Sequence, residues 1–67
     1  MIRVTRLNGV EGYWVNDDMI EFIEETPDTI ISMISGKKLP VAEKAEEVIR
    51  LINQRRAELL SKNWLNR

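Results

Sequence analysis

The stretch Ile2-Arg3-Val4-Thr5-Arg6-Leu7 alternates apolar and polar side chains and runs directly into Asn8-Gly9. Asn and Gly both tolerate the positive φ of a type I′ turn, so this pattern predicts an antiparallel hairpin. With Asn8 and Gly9 as the whole loop, Leu7 faces Val10, Val4 faces Tyr13 and Ile2 faces Val15, with Arg6 opposite Glu11 at the rim of one apolar face. The other face sets Arg3 against Trp14, a cation over a ring worth about 0.5–1 kcal/mol when exposed. Gly12 is the expected place for a bulge in the second strand.

Beyond the hairpin, Asn16-Asp17-Asp18 reads as a turn and Met19 to Glu25 as a third strand with apolar residues on both sides. Thr26-Pro27-Asp28 supplies turn chemistry, and the β-branched run from Thr29 to Ser35 suits a fourth strand. A two-residue and a three-residue loop at Pro27 give opposite faces, so the pairing stays open. Ser35-Gly36-Lys37 turns the chain again. Leu39-Pro40-Val41 is expected to be an edge strand or connector, because Pro40 has no N–H to donate.

From about residue 42 the period changes. Ala45, Val48, Ile49, Ile52, Leu59 and Leu60 recur at steps of three and four, one face of a helix. Glu43, Glu46 and Glu47 near its start and Arg55, Arg56 and Lys62 near its end complement the helix dipole, and Glu46–Arg50 and Glu58–Lys62 have the spacing of favourable pairs. No Ser, Thr, Asp or Asn stands where an N-cap belongs. The expected fold is therefore α+β. A small antiparallel sheet of four to five short strands (about 2–41) precedes one C-terminal helix (about 42–62) packed on one face, with a short tail (63–67), in a single domain of 67 residues.

Composition narrows the function classes. Apolar residues make up 43% of the chain and charged residues 31%, which is globular rather than disordered composition. The chain has no Cys and no His, so disulfides, thiolate or imidazole metal sites, Cys nucleophiles and His acid–base schemes are all excluded. A core this small barely offsets an ordering cost of roughly 1.5 kcal/mol per residue, which leaves self-association as the remaining support. The strands 19–25 and 29–35 show apolar residues on both faces while one helix covers one, so a homo-oligomer is expected. Neither a signal-peptide pattern nor a membrane-length apolar run is present, and a soluble, cytoplasmic protein is expected. Residues 1–36 hold seven acids against two bases, whereas residues 37–67 hold eight bases against four acids.

Thr5-Arg6-Leu7-Asn8-Gly9, Ile20-Glu21, Thr26-Pro27-Asp28-Thr29, Gly36-Lys37-Lys38 and Glu47-Val48-Ile49, in that order, resemble the small flagellar protein family FlbD, called SwrD where it is linked to swarming. The family-motif residues are Thr5, Arg6, Leu7, Asn8, Gly9, Pro27, Asp28, Gly36, Lys37 and Lys38. The likeness runs to about Arg56. It departs from the family pattern in a longer segment from Val10 to Asn16, at Ile34 and Pro40, and in the tail from Lys62. The resemblance implies a cytoplasmic accessory protein of flagellar motility, at the cytoplasmic face of the motor, and brings no catalytic residues with it.

Three candidate chemistries remain. The acidic series Asp17, Asp18, Glu21, Glu24, Glu25 and Asp28 lacks the glycine and terminal Glu of an EF-hand loop and reads as a solvated strand edge rather than a metal site. A paired-carboxylate enzyme needs a cleft that so small a domain seldom encloses. No catalytic residue, metal or cofactor is therefore expected. The basic helix end, with Arg55, Arg56, Lys62, Trp64 and Leu65, is the candidate partner-binding surface, for a flagellar motor or stator protein or a peripheral membrane contact. The alternative class is a dimeric RNA-binding regulator. Five strands and a helix opening on Thr5-Arg6 resemble the carbon storage regulator family, but an acidic strand half with few rings makes nucleic acid an unfavoured partner.

Overall fold

The computed structural model describes residues 1–65, with side chains as far as residue 60. Strands β1 (Ile2–Thr5) and β2 (Gly12–Val15) pair antiparallel in the register the alternation predicts, Ile2 with Val15, Arg3 with Trp14 and Val4 with Tyr13. The loop differs in kind. Only Gly9 takes a positive φ, +78°, so the type I′ turn does not form. Instead Gly9 N–H donates to the Arg6 carbonyl (2.8 Å), Val10 N–H to Oδ1 of Asn8 (3.0 Å) and Arg6 N–H to the Glu11 carbonyl (2.7 Å). The resulting loop from Leu7 to Val10 is centred on the same peptide as the shorter one, which preserves the register.

Gly12 carries no bulge. A Cβ there would lie 2.7 Å from the Arg3 guanidinium, the far end of an exposed, flexible side chain that can shift to make room. The irregularity falls in β3 (Ile20–Glu25), between Ile20 and Phe22, where it pairs with β4 (Thr29–Met33). Glu25 lies opposite Thr29, so the intervening turn has three residues, and the Thr26–Pro27 peptide is cis. Gly36, at φ +95°, turns the chain into β5 (Lys38–Val41), which pairs with β4 as an edge strand and puts Pro40 opposite Ile30.

The strands form two antiparallel sheets, β1-β2 and β3-β4-β5, rather than one. A bridge between Arg6 and Val41 joins them, and Ala42 N–H donates to the Thr5 carbonyl (2.9 Å) beside it. Between the sheets and the helix lie the buried side chains of Ile2, Val4, Val15, Ile31, Val41 and Val48, flanked by Ile20, Ile23, Leu51 and Ile52.

Helix α1 spans Ala45–Leu65. It begins later than residue 42 because Glu43 turns back to strand β1, and it runs through residues 63–65, which the sequence reading assigned to a tail. The missing local cap is supplied from far away: Ala45 N–H donates to Oε1 of Glu25 at 2.7 Å. Val48, Leu51, Ile52 and Arg55 make the face turned to the sheets. Ile49, Leu59 and Leu60, expected on that face, are exposed. A 21-residue helix is about 31 Å long and overhangs the short strands. Arg50 pairs with Glu47 rather than Glu46, and donates to Gln54 Oε1 (3.1 Å).

Candidate functional site

The acidic series does not act as a unit. Asn16 caps a single 3-10 turn, Asp17–Met19, by accepting from Asp18 N–H (3.1 Å), and this turn points Asp17 inward, where only 3% of the residue is exposed. Its Oδ1 lies 2.8 Å from the Met1 amino group and its Oδ2 3.3 Å from Nη1 of Arg55. Burial pushes this carboxyl up, but hydrogen bonds from the Met1 amino group and from its own backbone, with the charges of that amino group and Arg55, outweigh it and hold the carboxyl below its ordinary value. Glu25 caps the helix and Glu24 is exposed on β3. Among the described residues no three acidic side chains come together around a site for a metal ion.

The front of the Thr5-Arg6 motif is the joint between the sheets. Glu43 accepts from both Thr5 N–H (2.9 Å) and Thr5 Oγ1 (2.7 Å). The Arg6 guanidinium sits 4.7 Å from the centre of the Tyr13 ring. Burial raises the Tyr13 hydroxyl above its ordinary value, Arg6 lowers it and Glu43 raises it further. The rest of the motif shapes turns. Leu7, Asn8 and Gly9 form the first loop, Pro27 and Asp28 the second, and Gly36 the third, with Lys37 and Lys38 exposed after it.

Trp14 is 61% exposed and borders two shallow grooves. One, of about 260 Å³, lies against Arg3, Leu51 and Arg55; the other, of about 320 Å³, against Tyr13, Met33 and Leu39. Among the described residues only Glu58 brings a carboxylate to the first groove and none lines the second, so no described carboxylate pair faces either. The Arg3 guanidinium lies 5.7 Å from the Trp14 ring, as the pairing predicts.

The predicted partner surface divides. Arg55 is half-buried and joined to Asp17, whereas Arg56 is exposed and makes no ion pair among the described residues. Lys62, Trp64 and Leu65 have side chains outside the described residues. Exposed Leu59 and Leu60 stand beside Arg56 on the overhanging helix, and no helix among the described residues is long and apolar enough to cross a membrane. Sequence reasoning missed Asp17, Glu25 and Glu43, each held by a partner at least 20 positions away.

Together these features define a small α+β domain that displays apolar and basic groups on an overhanging helix. A family model, FlbD, described as flagellar and swarming motility proteins, matches residues 1–60. The chain belongs to the FlbD family and is thereby associated with flagellar and swarming motility. No curated protein and no solved structure matches it.

Proposed function

We propose that this chain is a non-enzymatic accessory protein of flagellar motility, acting in the cytoplasm by docking the end of α1 on a motor or stator protein. The observation that carries this reading is the overhang. Past Arg55 every described side chain through Leu60 is exposed, including Leu59 and, at 71%, Leu60; Arg56 lies three and four positions before these leucines on the same side of the helix, and Glu58 falls on another side. Apolar area rimmed by a cation is costly to leave in water and suits a partner with an acidic rim. Family membership supports the setting but leaves the partner open.

Crosslinking of the tagged protein in motile cells tests this. Recovery of motor or stator proteins that is lost in Arg56→Glu supports the proposal. Equal recovery by the variant overturns the assigned surface, and recovery of mRNA instead favours the RNA-binding alternative.

A further inference from the structure

We propose that the outer face of the β3-β4-β5 sheet is a self-association surface, occupied by the same face of a second copy. Helix α1 and the β1-β2 hairpin pack on the side that holds Ile31 and Val41, and among the described residues no element covers the opposite side. The register orders that side into two rows across the strands: Phe22, Ser32, Lys38 and then Glu24, Ile30, Pro40. Phe22, Glu24, Lys38 and Pro40 are exposed, Ile30 is half-buried, and the small Ser32, in the row between Phe22 and Lys38, is buried. An apolar band thus crosses the sheet with a carboxylate at the β3 edge and an ammonium at the β5 edge.

This arrangement is complementary to itself. A twofold axis running along β4 between two facing sheets lays β3 of one copy over β5 of the other. Phe22 then meets the stem of the partner's Lys38, and Glu24 lies one residue pair, about 7 Å, along the strand from that ammonium. Each contact occurs twice by symmetry. The alternative axis, across the strands, would exchange the two rows and set each carboxylate about 7 Å along the strand from the partner's carboxylate, and each ammonium at the same offset from the partner's ammonium. Charge therefore selects both the occupant and its orientation. A three-stranded face is small beside a standard interface, so the dimer is a weak one, with dissociation in the micromolar range.

The test is sedimentation equilibrium of the full chain from about 1 µM to about 1 mM, with variants that swap charge at exposed positions. The parent should pass from its 7.8 kDa monomer to a dimer. Glu24→Lys and Lys38→Glu should each weaken the dimer about tenfold, because each sets like charges together twice. An equimolar mixture of the two variants should associate as the parent does, since every cross-contact then pairs opposite signs, and the double variant should do the same. A parent that stays monomeric throughout, single variants that dimerise like the parent, or a mixture that does not recover would each overturn the proposal.

Discussion

Arg55 Nη1 lies 3.3 Å from Oδ2 of Asp17, a carboxylate whose side chain has no exposed area, and so ties the middle of α1 to the turn after β2 across 38 positions. A buried carboxylate is tolerated only while its charge is compensated, so this contact works as a lock on the helix.

Arg55→Ala should therefore destabilise the protein by about 3 kcal/mol, because Asp17 is left buried with the Met1 amino group as its remaining cationic contact. Replacing both residues with Ala should cost less than the sum of the two single changes. Urea denaturation of the four proteins in that cycle measures the coupling, and additive effects would show that the contact contributes nothing.

Acid should unlock the same contact. The Asp17 carboxyl is held below its ordinary value in the folded chain, so the unfolded chain binds its proton more readily. The stabilisation is complete above the unfolded value of about 3.9 and is lost as pH falls through the folded one. Stability followed from pH 6 down to pH 2 should drop in the parent, and drop less in Asp17→Asn.

Core position should order three truncations. Ile31 is fully buried, so Ile31→Ala should cost about 3–5 kcal/mol and leave little folded protein. Ile52 is half-buried and its truncation should cost less, while Leu59→Ala, on the overhang, should stay within about 0.5 kcal/mol. Thermal melting ranks them, and a Leu59→Ala loss as large as that of Ile31→Ala would mean that the helix end is packed.

Ser32 is 3% exposed and its hydroxyl has no hydrogen-bond partner among the described residues. Ser32→Ala removes a polar atom that burial penalises, so the variant should be at least as stable as the parent. Chemical denaturation decides this, and a loss above about 1 kcal/mol would show that the hydroxyl is bonded.

The hairpin was legible because alternation and Asn8-Gly9 are local signals, and even a wrong loop conformation left Ile2 opposite Val15. The helix was legible from its period, although the period alone gives no end to the surface it packs on. Leu59 and Leu60 fit the spacing of Val48 and Ile52, yet the sheets stop short of them. The division into two sheets and the roles of Asp17, Glu25 and Glu43 were not legible. Each rests on a contact between distant segments, Glu43 on Thr5 or Glu25 on Ala45, and a charged residue facing such a partner looks in sequence like one facing water.

Swarming of cells whose only copy carries Arg56→Glu together with Leu60→Ser tests the proposed docking surface most directly. Both positions are exposed, so the variant should accumulate and melt as the parent does. The account predicts that swarming fails at normal protein level. Swarming at the parent's rate would contradict it and leave the helix end as solvated surface.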